Sequence, residues 1–193
     1  MRGAVLTLSI VCAAGLAVAA PAAGSGRTVV HHFQAFSDGK IAPRVQVASR
    51  APGYCWETSG VESRRYAWRC FKGNYILDPC FSSTRQSRFV LCPTEPWSED
   101  VVRLLLTRRL PRWQHYAYRQ SRPVGLWTTT GKRCVHSSGA TSDIEGKPIT
   151  YVCRGGGVLV GLARRATPVW TVWWAPSFKA KHLTRVGLTD AWW

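Results

Sequence analysis

Acidic residues are scarce in this chain: ten Asp and Glu among 193 residues, against 26 Lys and Arg, for a formal net charge of +16. That balance excludes an acidic, solvating polypeptide. A field of this sign attracts polyanions such as anionic wall polymers, acidic lipid headgroups or nucleic acid. Twenty of the 26 cations are Arg, a skew that GC-rich coding produces by itself, and no basic run exceeds two residues. The sequence alone therefore favours diffuse solvated charge over one specific anion site, and no specific nucleic-acid recognition is expected.

Catalytic and metal-binding signatures are also missing. There is no C-x-x-C, and cysteine spacings of 15, 10, 12, 42 and 19 match no common zinc pattern. Neither G-x-S-x-G nor H-E-x-x-H occurs. "GATSDIEGKP" has the wrong glycine spacing for a phosphate loop and carries Pro148 where Ser or Thr is needed. No metal and no cofactor is expected. Internal repeats and heptads are absent as well.

Long apolar sequence is confined to the N-terminus. Arg2 precedes "AVLTLSIVCAAGLAVAA", and Ala17 and Ala19 form an A-x-A exit. The apolar part is shorter than the roughly 20 residues of a spanning helix, so the pattern reads as a secretory signal peptide over 1–19. Cleavage as late as 23 is the alternative, and Cys12 belongs to the signal core. No later segment is long and apolar enough to span a bilayer. A secreted, extracellular chain without a transmembrane anchor follows, possible association with the cell wall resting on its charge. Residues 20–48 are expected to form a flexible leader, with His31 and His32 in a mobile polar arm and "RVQVAS" as a candidate first strand at its end. Residues 49–193 are then a single β-rich domain.

Removing the signal leaves Cys55, Cys70, Cys80, Cys92, Cys134 and Cys153. An even number in an exported chain reads as three disulfides. Beyond Tyr54, short apolar runs alternate with Gly, Pro and Ser, with little helical periodicity. "YAWRCF" and "YILDP" flank Gly73-Asn74, a Gly-first loop suited to a type II′ hairpin. "DVVRLLLTRRLP" is a strand closed by Pro111. "PVGLWTTTGKRCVHSS" holds a second Gly-first pair, Gly131-Lys132, and "ITYVCRGGGVLVGLARR" turns on its glycines. "PVWTVWWA" and "LTRVGLTDAWW" add two more strands. Eight or nine short strands argue for an all-β, antiparallel sandwich or barrel-like domain stabilised by disulfides.

The first hairpin places Cys70 opposite Leu77 and Arg69 opposite Asp78. By alternation, Trp68, Cys70 and Leu77 share one face while Cys80 takes the other. A Cys70–Cys80 bridge is then disfavoured, and the expected pairing is sequential: Cys55–Cys70, Cys80–Cys92 and Cys134–Cys153. Asp78, facing Arg69 across the ladder, is more structural than catalytic. Glu99 and Asp100, near Glu95, are the other carboxylate candidates, but adjacent strand residues point to opposite faces and pair poorly for hydrolysis. His136 is expected on the face of Cys134, opposite Trp127, with Ser137 and Ser138 close by. These four, Asp78, Glu99, Asp100 and His136, are the weak catalytic candidates.

Ten tryptophans are the most unusual feature. Trp170, Trp173, Trp174, Trp192 and Trp193 crowd the C-terminal strands; Trp170 and Trp174 share a face and Trp173 takes the other. Core packing alone is the favoured reading; the alternative is that one face packs while the second is a ligand-binding platform for sugar rings or a partner surface. The blocks "AWRCFKGNYILDPCF", "LCPTEPWSEDVVRLLLTRRLP", "GKRCVHSSGAT", "ITYVC" and "PVWTVWWA…AWW" resemble a family of uncharacterised secreted proteins of actinobacteria, over about Cys55 to Trp193. The resemblance implies export and a shared cysteine framework, and carries over no activity. The leading expectation is a non-catalytic binding or structural protein at the cell envelope, engaging anionic or polysaccharide wall material. A small extracellular hydrolase with a carboxylate or histidine site is the alternative.

Overall fold

The computed structural model describes residues 26–114, 121–139 and 142–193. The expected signal peptide, its cleavage sites and residues 20–25 lie outside the described residues. Fifteen strands and no helix make up the described chain. This is the outcome expected of short apolar runs cut by turn residues, although the strands are more numerous than the eight or nine expected. Among the described residues no helix is long and apolar enough to cross a membrane.

In chain order, β1 (Val29–His31) precedes a small hairpin of β2 (Phe36–Ser37) and β3 (Lys40–Ile41). β4 (Gln46–Thr58), β5 (Ala67–Lys72), β6 (Tyr75–Phe81), β7 (Phe89–Pro93) and β8 (Asp100–Leu106) close into a first barrel. A second sheet contains β9 (Gly125–Thr128), β10 (Arg133–His136), β11 (Asp143–Ile144), β12 (Lys147–Cys153), β13 (Val158–Arg164), β14 (Thr171–Ala175) and β15 (Thr184–Trp192). Because β15 pairs with both β14 and β9, six of these strands also form a ring, with β11 folded onto β12.

One long strand closes each ring by changing partner along its length. Gln46–Gly53 of β4 runs parallel to β8, and Tyr54–Thr58 runs antiparallel to β5. In β15, Thr184–Gly187 pairs with β14 and Leu188–Trp192 with β9. Glycine stands at both switches. A Cβ on Gly53 would collide with the Phe71 carbonyl oxygen and the Leu104 methyls, and one on Gly187 would meet Thr129 Cγ2 at 2.8 Å. Closure removes the unpaired edges of an open sheet. Closure of the first ring sets β4 parallel to β8, and β1 adds a second parallel ladder along β15, in an otherwise antiparallel fold.

Each barrel has its own interior. In the first, Cys55, Trp68, Cys70, Cys80, Val90, Cys92 and Leu104 form one buried cluster drawn from all five strands. In the second, Leu126, Cys134, Tyr151, Cys153, Leu159, Val172, Leu188 and Trp193 do the same. The disulfides are Cys55–Cys70, Cys80–Cys92 and Cys134–Cys153. Each bridges neighbouring antiparallel strands, and Cys55–Cys70 and Cys134–Cys153 join residues directly opposite in the ladder.

The structure corrects three expectations. First, residues 26–48 are part of the fold and not a flexible leader. β1 pairs with Asp190–Trp192, and Phe33, Phe36, Ile41, Val45 and Val47 pack over Ala67, Phe81, Leu91 and Val101 on the outer face of the first barrel. The β2–β3 turn is Asp38-Gly39, with φ of 50° and 75°, the left-handed pair of a tight hairpin. Second, Cys80 lies on the same face as Trp68 and Cys70. The register shifts between Trp68 and Cys70, so that Trp68 opposes Cys80 while Cys70 opposes Leu77. Asp78 and Pro79 together face Arg69, and this bulge inverts the alternation. The sequential pairing is present, but not for the parity reason that suggested it. Third, the β9–β10 loop is Thr129–Gly131 with Gly131 last, at φ 78°, so Arg133 opposes Trp127. His136 therefore sits against Val124 and Tyr151 instead of Trp127.

Candidate functional site

The tryptophans are mostly internal fittings. Trp193 caps the interior of the second barrel, edge-on to Trp170 at 5.8 Å, with Arg165 over both rings at 4.9 Å. Trp192 belongs to a separate cluster between the barrels with Val61, Val124, Trp97 and Trp127. Its ring stacks on His31 at 4.6 Å, and the His31 imidazole bonds Asp190 at 2.8 Å. With 9% and 7% of their surface exposed, Trp192 and Trp193 are no open stacking platform. Trp170 and Trp174 pack on the interior cluster and Trp173 on a separate cluster with Ile149, Val158 and Val160, the face assignment the alternation implied. Trp173 is half-buried, and Arg185 lies over its ring at 4.2 Å.

Of the catalytic candidates, Asp78 and His136 line one cleft between the barrels, of about 190 Å³. Glu99 and Asp100 lie outside it, at the start of β8; Glu99 bonds Arg44 at 2.6 Å. The Asp78 side chain has no exposed surface, and both its oxygens are occupied. Ser59 donates to Oδ1 at 2.5 Å, while the Gly60 amide and Arg69 Nε donate to Oδ2 at 3.1 and 2.9 Å. Burial pushes this carboxyl above its usual range; the Ser59 hydroxyl, the Arg69 charge and the Gly60 amide pull it back. Arg69 also reaches Glu57 at 3.1 Å. Asp78 is thus a locked internal charge under the bulge.

His136 stands edge-on to Tyr151, ring centroids 5.6 Å apart. Burial lowers it to about 4, helped by the charges of Arg122 and Arg69, so the imidazole is neutral at neutral pH. Its Nδ1 is buried without a hydrogen-bond partner. No hydrogen bond joins it to Asp78, and a base without an orienting partner lacks the geometry of a nucleophile-activating pair. Among the described residues, no group of three His, Cys, Asp or Glu is placed to hold a metal ion.

A second groove, of about 530 Å³, runs between the N-terminal segment, the β7–β8 loop and Trp192. Its aromatic lining is engaged internally: Trp97 donates to Glu95 at 2.6 Å, contacts Trp127 and Trp192, and has Arg154 over its ring at 5.5 Å.

The third cleft is the largest of these, about 740 Å³, and has a different character. It lies at the end of the first barrel where β6 passes to β7 and where β8 ends. The antiparallel β7–β8 ladder pairs Phe89 with Leu105, and the Leu106 amide donates to the Arg88 carbonyl at 2.9 Å. That register brings Arg85 and Arg88, before β7, alongside Arg108 and Arg109, after β8. Leu106 and Leu110 supply apolar lining, and Gln86, Ser87 and Thr107 complete the walls. All four arginines are exposed. No carboxylate lines the cleft, and among the described residues none pairs with these four. Arg108 lies over the Tyr54 ring at 4.3 Å, which fixes one guanidinium on the rim. Composition did not disclose this cluster, because the two pairs are about twenty residues apart and each is short; only the ladder register joins them.

Comparison with protein-family models, with curated proteins and with solved structures finds no match to this chain.

Proposed function

We propose that this is a secreted, non-catalytic binding protein of the cell envelope that holds anionic wall material in the arginine cleft of its first barrel. The carrying observation is the gathering of Arg85, Arg88, Arg108 and Arg109 in one concavity without a carboxylate. Guanidinium groups without a carboxylate partner in a concave site are available to an external anion, and their forked donors suit carboxylate and phosphate oxygens. Export is supported by the apolar N-terminus with its A-x-A exit and by three disulfides, which persist in oxidising compartments. The disulfide-held interiors provide a rigid mount for such a cleft.

Co-sedimentation with purified cell wall tests this reading. The folded protein is expected to pellet with wall at low salt and to be released as salt rises. Failure to pellet at low salt, or pelleting unaffected by replacing the four arginines with Gln, overturns it.

The hydrolase alternative has one observation in its favour, the meeting of Asp78 and His136 in the inter-barrel cleft. With both Asp78 oxygens occupied, it needs His136 to work alone. Cleavage of wall polysaccharide by the wild type and not by His136→Gln is the result that would promote it.

A further inference from the structure

Building on the anion-binding reading above, we infer that the arginine cleft is built for a phosphodiester-linked polymer, recognised through its phosphate groups and not through any ring it carries. Three observations lead there. The guanidinium groups come from two walls, Arg85 and Arg88 from the segment before β7, Arg108 and Arg109 from the segment after β8. A carboxylate is planar and is satisfied by one fork, whereas a tetrahedral phosphate accepts from several directions at once, as donors carried on two separate segments require.

The lining is also one-sided in its chemistry. Its charged side chains are all cationic, and no carboxylate is present to accept from sugar hydroxyls. The ligand is therefore expected to bring the charged acceptors that the guanidinium donors lack, and oxyanions are the densest source of them. Finally, among the described residues no aromatic ring lines the cleft. Single strands of nucleic acid are held by stacking bases on such rings, and saccharide rings pack on them too. Tyr54, the ring that one of the four arginines contacts, is covered by Arg108. Leu106 and Leu110 can pack against a short aliphatic linker between phosphates.

The test is a binding titration of the full secreted chain with three probes of equal charge: a glycerol-phosphate oligomer, an oligogalacturonate and oligo(dT). The glycerol-phosphate oligomer is expected to bind about tenfold or more tighter than the oligogalacturonate, with oligo(dT) binding no tighter than the oligomer without bases. A fourfold variant, Arg85→Lys, Arg88→Lys, Arg108→Lys and Arg109→Lys, keeps the charge but removes the forks, and should lose the preference for phosphate. The matching fourfold Gln variant should lose binding and flatten the salt dependence by roughly one unit of slope per lost phosphate contact. All four side chains are exposed, so both variants should keep the wild-type melting curve; if the Gln variant does not, the Lys variant decides.

Equal affinity for the phosphate and carboxylate oligomers, or a Lys variant with its preference intact, overturns the phosphate inference and leaves anion binding standing. Markedly tighter oligo(dT) binding overturns it in favour of nucleic acid. No binding of any probe overturns both readings.

Discussion

Arginine does two different jobs at the two ends of the β6–β7 pair. At the inter-barrel end, Arg69 lies between Asp78 and Glu57, and Arg154 pairs with Glu95 over the Trp97 ring. At the other end, Arg85, Arg88, Arg108 and Arg109 line an open cleft without an acid. The residue type is the same; the register decides the role. Acids are limiting in this chain, and Glu57, Glu62, Asp78, Glu95 and Glu99 each already hold an arginine. A cation gathered where no acid reaches is left for something outside the molecule.

The sharpest way to break this comparison is to delete an arginine of each kind. Arg69→Ala strips the counter-charge from a carboxylate with no exposed surface. Removing one partner of a buried pair costs about 3–5 kcal/mol, and urea denaturation should show a loss of that order. Asp78→Asn in the same background should recover part of it, since the orphaned charge is gone. Arg109→Ala should leave stability within about 0.5 kcal/mol, as expected of an exposed position, while weakening wall binding. Equal destabilisation by the two changes would abolish the distinction.

The next effect belongs to pH. His136 is lowered from 6.5 to about 4 by burial, with Arg122 and Arg69 adding to it. Its unfolded form takes up a proton more readily, so its contribution is complete above about pH 6.5 and is lost as pH falls towards 4. The loss is at most about 3 kcal/mol. Asp78 acts in the opposite sense: its raised carboxyl favours the folded state as pH falls. Denaturation at a series of pH values should therefore show wild-type stability declining between pH 6.5 and 4.5, with a shallower decline in His136→Leu. Parallel curves would mean that the imidazole is charged or open to water.

How much of this was legible in advance divides along the same line between local chemistry and register. Gly73-Asn74 announced its hairpin, because a Gly-first pair has few other uses between two apolar runs. The six cysteines beyond Cys12 announced three bridges. Arg69 facing Asp78 was also readable from the loop length. The bulge that places both Asp78 and Pro79 opposite Arg69 was not, since no residue there is reserved for it, and it reversed the face of Cys80. In the β9–β10 hairpin Gly131 is the last loop residue, a position that the Gly131-Lys132 pair does not distinguish from the first, and the longer loop sets His136 against Tyr151 instead of Trp127. The N-terminal segment carried its signal openly in Asp38-Gly39 and the apolar residues around it; nearness to the expected signal peptide obscured it. The cleft was not legible at all, because two short arginine-bearing segments acquire meaning only when the β7–β8 ladder aligns them.

The smallest expected effect concerns an arginine that fits neither class. Arg44 bonds Glu99 at 2.6 Å, yet their side chains are 84% and 43% exposed. Proximity alone suggests a strong pair and would make Glu99 a held, oriented carboxylate. Solvent argues otherwise: water screens the attraction, and ordering two flexible side chains offsets much of what remains. A double-mutant cycle of Arg44→Gln and Glu99→Gln should therefore give a coupling under about 0.5 kcal/mol, falling further in salt. If the coupling instead exceeds the range of exposed pairs, the groove beside Trp97 and His31 is drier than its open rim implies. Arg44 would then join Arg69 as a structural cation, and Glu99 would return as a carboxylate held in place for a ligand.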